Sequence, residues 1–474
     1  MEWIKKEGNF MIQESLAREV LAKAVATGGD FAEIFLEDRV NHHLQIRSSK
    51  IDAVSTGRLH GAGVRVFDGT RAIYVYTNDT SREGLLDCAE TAAAAIHAKN
   101  APASIPALPL RDVSRLEAIR LWPGDVKAAL KAEKLRAADA AARAVSPEIA
   151  QVIGRYMDSV QKVWIYNTEG TAVTDTRVYT RMMLQAVASN GMENQMGSHS
   201  PGASMGFELF DERVDPEETG RIAANMAHTM LHAPACPAGY MPVVIDNGFG
   251  GVLFHESCGH SLEATSVAYG ISEFSGKLGQ QIAAPCVTAL DDGTIENEWG
   301  SLHVDDEGNP TTKLVLIENG ILKHYMIDKL GGRRMNMAPT GSGRRESYAY
   351  APTSRMRNTY IAVGKDDEAE MIATMGDGLY ARSMGGGSVN PATGEFNFAV
   401  MEGYLVKDGK IAHPVRGASL IGRGSEVLQK IDRVGKNMTM GQGMCGSVSG
   451  SIPTNVGQPM IRISALTVGG QKED

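Results

Sequence analysis

Residues 253–263 read LFHESCGHSLE: a histidine followed at once by a glutamate, with a second histidine five positions after the first. How this stretch folds decides where the chemistry sits and what the surrounding half of the chain is built around. Zinc takes nitrogen and sulfur ligands in a tetrahedral array, and a catalytic site keeps one position for water. A glutamate beside a ligand histidine is placed to act as base toward that water. The common helical pair spaces its histidines four apart. His255 and His260 are five apart, and at about 100° per residue a regular α-helix would point them roughly 140° away from each other. A shared metal therefore predicts a distortion. Either a π-type turn brings positions five apart toward alignment, or the backbone bends or stops at Gly259.

A third ligand is needed. Cys258, between the histidines, is poorly placed to converge with both and reads as a small buried residue. Glu263 follows His260 by three positions, one helical turn on. Cys445, in MGQGMCGSVSG (residues 440–450), is distant in sequence but set among glycines that permit close backbone approach. The residues alone leave Glu263 and Cys445 both open. Cys88, Cys236 and Cys286 have no histidine or cysteine neighbour at ligand spacing and read as structural. His42 and His43 fall in an expected strand, which turns their rings to opposite faces.

Outward from the motif, the texture of the chain changes near residue 235. Upstream, a helix is expected from about Ile12 to Val25, with Leu16, Val20, Leu21 and Ala24 on one stripe and Gly28-Gly29 closing it. VRVFDGTRAIYVY (64–76) alternates apolar residues about Asp68-Gly69 and reads as a hairpin. A helix fits residues 81–98, and NAPASIPALPL (100–110) reads as an extended connector. An alanine-rich helix runs from Asp125 to about Val145, stopped before Pro147. Strands follow, then a helix capped by Asp215 with Pro216 in its first turn. Downstream lie most of the glycine clusters and further hairpin signals, among them LVLIENGILKHYMI (314–327) and YLVKDGKIAHPV (404–415). The expected class is α+β. A mixed domain of helices and antiparallel hairpins occupies residues 1–234, and a β-rich catalytic domain carrying the metal-binding helix occupies 235–474.

Bulk properties narrow the function classes. The 474 residues are 43% hydrophobic and 22% charged, with a net charge of −9. Such an acidic balance exerts no general pull toward nucleic acid or anionic lipid. No apolar run approaches the ~18 residues that cross a bilayer, and the opening MEWIKKEGNFMIQESL lacks the apolar core of an export signal. Five scattered cysteines then read as reduced thiols or metal ligands, and the expected compartment is the cytoplasm.

GFGGVLFHESCGHSLEATS (248–266) resembles the metal motif of the TldD branch of the TldD/PmbA family of zinc-dependent peptidases. The likeness continues through VDDEGNPT (304–311), IENGILKHYMIDK (317–329), PTGSGRRESYAYAPTSRMRNTY (339–360), GGGSVNPATGEFNF (385–398), GASLIGRGSEVLQKID (417–432) and CGSVSGSIPTNVGQP (445–459). The resemblance implies one zinc per chain, held by His255, His260 and Cys445, with Glu256 as the acid/base. It implies peptides, leader peptides or unfolded polypeptides as substrates. It further implies a heterodimer with a paralogue (TldE, or PmbA) that lacks the motif, a self-paired dimer being the alternative. Cys258 stands where members often carry an aliphatic residue, and Ser447 where a lysine is common.

For substrate contacts, a strand edge at Gly385-Gly386-Gly387 is expected to pair with an extended peptide. Arg344, with Arg345, Arg355 and Arg357, is read as a grip for a peptide carboxylate or backbone. Two rival functions belong to other classes. A catalytically silent, zinc-containing regulatory subunit is disfavoured because structural sites usually close with a fourth protein ligand. A nucleic-acid-bound regulator of topoisomerase is disfavoured by the net charge.

Overall fold

The computed structural model of this chain describes residues 11–96, 101–390 and 393–470. The reading of the first ten residues as free of an export signal lies outside that range. Helix α1 (Glu14–Ala24) forms where Ala17, Val20, Leu21 and Ala24 recur at helical spacing, and all four are buried. Strands β1 (Phe31–Arg47), β2 (Lys50–Asp68) and β3 (Arg71–Thr77) follow as an antiparallel meander. Asp68 faces Arg71 across the tight turn at Gly69, whose φ is +59°. Helix α2 (Arg82–Ala94) is capped by Ser81, whose side chain accepts from the Gly84 N–H.

Helix α3 (Ala128–Val145) leads into β4 (Ile149–Asn167), β5 (Ala172–Ser189) and β6 (Asn194–His199). With two-residue strands at Arg111–Asp112 and Gly202–Ala203, both beside β5, these strands extend the meander into an eight-stranded sheet in which β4 lies between β1 and β5. Helix α4 (Pro216–His232) begins at Asp215, which accepts from the Glu217 and Glu218 N–H groups. α4 packs against α3 so closely at Gly220 that a Cβ there would collide with the Ala138 carbonyl oxygen.

The C-terminal half contributes β7 (Gly239–Ile245), β8 (Ala289–Asp292), β9 (Lys313–Glu318), β10 (Asn358–Ile361), β11 (Gly378–Val389), β12 (Glu395–Lys407), β13 (Lys410–Val415), β14 (Ser419–Arg423), β15 (Thr439–Ser447), β16 (Gly450–Gln458) and β17 (Ile461–Gly469), with shorter strands between them. A six-stranded sheet runs β9-β8-β10-β16-β15 from a short strand at Ile321–Leu322, with β10 and β16 parallel. β15 forms its edge. A seven-stranded sheet runs β11-β7-β17-β14-β12-β13, with a strand at Ile431–Val434 pairing to β17, and β11 also pairs with β12, so its path closes on itself. The class is α+β.

The helical run around the motif lies between these two sheets, touching β10, β11 and β12. Leu253, Phe254, Cys258 and Leu262 are fully buried in one apolar cluster with Val243, Ile245, Met356, Leu379 and Phe398. That packing clamps the backbone on which the two motif histidines sit. Buried ion pairs tie the first sheet to the rest. Arg65 meets Glu33 at 2.9 Å and Glu307 at 2.7 Å, Arg345 meets Glu33 at 2.7 Å, and Arg177 meets Asp306 at 2.6 Å. Among the described residues no helix is long and apolar enough to cross a membrane.

Candidate metal centre

The motif does not lie on a regular helix. A 3-10 turn at Gly248–Gly251 and a short α-turn at Val252–Phe254 pass into a π-turn at His255–Gly259, then a 3-10 turn at His260–Leu262. The wider π-turn is the distortion that the five-residue spacing demands. Its result is convergence: the His255 and His260 rings stand 5.0 Å apart, centroid to centroid, at 84°.

Cys445 approaches from β15, opposite Ile452 of β16. Its Sγ lies 3.3 Å from His255 Nε2 and 3.3 Å from His260 Nε2, and the three donor atoms all fall within 4.8 Å of one another. His255 and Cys445 are buried. Burial opposes ionisation of the Cys445 thiol, but the charge of His255 and hydrogen bonds to both histidines bring it down to about 3. Burial likewise opposes the charged form of His260, yet Glu263 and Cys445 together hold its pKa well above the ordinary value. Two imidazole nitrogens and a readily ionised thiol form an N₂S set that suits zinc. His255 Nδ1 is buried without a hydrogen-bond partner.

Glu263 occupies a different place from Cys445. Its Oε2 lies 3.1 Å from His260 Nδ1, and Thr265 Oγ1 donates to the same oxygen at 3.4 Å. A carboxylate there orients the ring and leaves Nε2 facing Cys445. Arg355, fully buried, donates to the Cys445 carbonyl oxygen, to Gly450 O at 3.0 Å and to Ser449 Oγ at 3.0 Å. Its Nε lies 4.0 Å from Glu263 Oε1. One guanidinium thus braces both the strand that carries Cys445 and the carboxylate that orients His260. The sequence offered no signal for this role, because it depends on long-range packing. Cys258 points into the apolar core, where burial and then the charge of Glu273 raise its thiol pKa well above normal.

Glu256 stands at the mouth of the cluster, with Oε2 3.8 Å from His260 Nε2 and its side chain 24% exposed. It lines a cleft of about 530 Å³ together with His255, His260 and Cys445. Gly386, Gly387, Ser388 and Val389 line one side, and Gly443 to Ser447 line another. β11 pairs with β7 only over Leu379–Ala381, and at Gly387–Val389 it pairs with β12 alone. β15 pairs only with β16. Two strand edges therefore border the cleft without a partner strand among the described residues.

Arg344 is not in this cleft. It is 3% exposed and donates to the Met356 carbonyl oxygen at 2.8 Å, and its burial lowers its pKa to about 10. Arg345 pairs with Glu33, and Arg357 with Asp291 at 2.7 Å. The expected peptide grip in this segment is corrected: its arginines are internal braces, buried by the sheet that they help to hold.

Models of three consecutive family domains match the chain: PmbA/TldA metallopeptidase domain 1 over residues 32–96, the central domain over 122–231, and the C-terminal domain over 238–470. A metalloprotease TldD homolog of Haemophilus influenzae is 36% identical over 93% of this chain and 93% of its own length. A zinc metalloprotease TldD homolog of Saccharolobus solfataricus is 27% identical over 68% of this chain and 72% of its own. The crystal structure of TldE from Thermococcus kodakarensis shares the fold, with a TM-score of 0.76 at 20% identity, over 96% of this chain and 100% of that one.

Proposed function

This chain belongs to the PmbA/TldD metallopeptidase family, and on that premise we propose that it is a zinc-dependent peptide hydrolase whose one catalytic zinc is held by His255, His260 and Cys445. The observation that carries the reading is the meeting of His255 Nε2, His260 Nε2 and Cys445 Sγ within 4.8 Å on the wall of a cleft. Bound by three protein ligands, zinc supplies Lewis acidity toward a peptide carbonyl and lowers the pKa of a water molecule. The other steps belong to the chain. Glu256, open to the cleft beside the cluster, takes the proton from the attacking water and returns it to the leaving amine. Glu263 holds His260 in the tautomer that presents Nε2.

The substrate is a peptide or unfolded polypeptide, leader peptides included. An extended chain lying in the cleft has the free edges at Gly386-Gly387 and at β15 to pair with. Recognition through backbone groups tolerates varied side chains. A glycine at 387 lets β11 lie close against β12, because a Cβ there would collide with Phe398 and the Asn397 carbonyl oxygen. The working form is a dimer, either with a TldE-like paralogue that lacks the motif or with a second copy. The net charge of −9 gives no support to a nucleic-acid role.

Glu256→Gln is expected to slow cleavage of an unfolded test polypeptide by about 10²- to 10⁴-fold while zinc content is unchanged. Unaltered cleavage in that variant would instead support a silent, zinc-containing subunit.

A further inference from the structure

A second group of donors lies outside the lining of the cleft. His228 and His232 sit four residues apart in the last turns of α4, a spacing that a regular helix aligns on one face. Their rings are 5.0 Å apart, centroid to centroid, at 76°. His255 and His260 reach nearly the same arrangement, 5.0 Å and 84°, through the π-turn. Glu148, just before β4, completes the group. Its Oε2 lies 2.7 Å from His232 Nε2 and 3.0 Å from His228 Nδ1. One donor atom from each residue falls within 4.8 Å of the others. The backbone of Glu148 is fixed from behind, since the Ser189 N–H donates to its carbonyl oxygen at 2.8 Å. His228 Nδ1 is shielded from solvent yet makes no hydrogen bond of acceptable geometry. A shielded ring nitrogen beside a carboxylate and a second imidazole is a ligand geometry as much as an ion-pair geometry. The C-terminal end of a helix also favours positive charge nearby.

We propose that Glu148, His228 and His232 form a second metal site, distinct from the cleft, that takes a divalent ion of the zinc type. Two imidazoles and one carboxylate match the ligand preference of zinc. The side chains are 32%, 38% and 54% exposed, which leaves the remaining coordination positions to water. Occupancy ties the last turn of α4 to the segment between α3 and β4, so the site is a staple on the helical layer and takes no part in cleavage.

The test is zinc content, measured after the full-length protein is saturated with Zn²⁺ and freed of excess ion. The expected count is two per chain for wild type and one for the His228→Ala/His232→Ala double variant, with peptide cleavage unchanged. Cys445→Ala is expected to retain one, lost when the three substitutions are combined. Added Zn²⁺ should raise the Tm of Cys445→Ala and leave that of the triple variant unmoved. One zinc in wild type, or no fall in the double variant, overturns the second site. A count that falls in the double variant but not in Cys445→Ala upholds the second site and sinks the cleft assignment instead.

Discussion

Glu263 lies three residues after His260, and its Oε2 stands 3.1 Å from the ring nitrogen that faces away from Cys445. Residue spacing alone left Glu263 and Cys445 as equal candidates for the third ligand. The structure separates them by which nitrogen of His260 each one meets: Nδ1 for Glu263, Nε2 for Cys445. Partners of this kind keep a ligand ring in one orientation and raise its basicity. Glu263→Ala is therefore expected to weaken zinc binding by about 10- to 100-fold, read by competition with a chelator of known affinity. Undiminished affinity would mean that Glu263 serves only the fold. The approach of Glu263 was legible because it is local. That of Cys445 was not, because it requires β15 to pair with β16 and β16 to lie parallel to β10, a register set over about a hundred residues of chain. Its glycine neighbours made Cys445 a candidate, and only the resemblance to a known family chose it.

The π-turn at His255–Gly259 is the element on which the cluster depends. It was legible in outline, since five-residue spacing and a shared target are incompatible with an undistorted helix. What braces it was not. A Cβ on Gly424 would overlap the Ser257 carbonyl oxygen, so the backbone that follows β14 lies directly against the turn. The atoms nearest a Cβ on Gly259 all belong to the flexible side chain of Met356, its sulfur first. Gly424→Ala is therefore expected to cost about 1–3 kcal/mol of stability and to lower zinc content. Gly259→Ala should cost less on both counts. Urea denaturation and metal analysis of the two variants check the order, and a reversed order would locate the brace elsewhere.

Across the whole molecule, the first sheet is fastened to the C-terminal sheets by buried charges. Arg65 and Arg345 are shared among Glu33, Glu307 and the Asp306 carbonyl oxygen. The sequence showed Arg65 and Glu33 only as ordinary charges, and burial was decided by strands that meet from distant parts of the chain. The arginines of residues 344–357, read as substrate contacts, are inside for that reason. Asp328 lies next to this network. Burial first, and then the charge of Glu307, push its carboxyl up to about 7. Unfolded, the same group releases its proton near 3.9. The fold thus favours the neutral form, and this contribution to stability is lost as pH rises from about 4 toward about 7. Asparagine does not titrate. The Tm of Asp328→Asn minus that of wild type is expected to increase between about pH 5 and about pH 7, and a pH-independent difference would contradict this. The same assembly carries Cys445 to a pair of histidines 190 and 185 residues away in sequence. Zinc-edge X-ray absorption on the His228→Ala/His232→Ala variant carrying one zinc per chain tests that convergence most directly. The expected first shell holds one sulfur at about 2.3 Å and nitrogens at about 2.0 Å. A shell of nitrogen and oxygen alone would contradict the assignment of Cys445 to the metal.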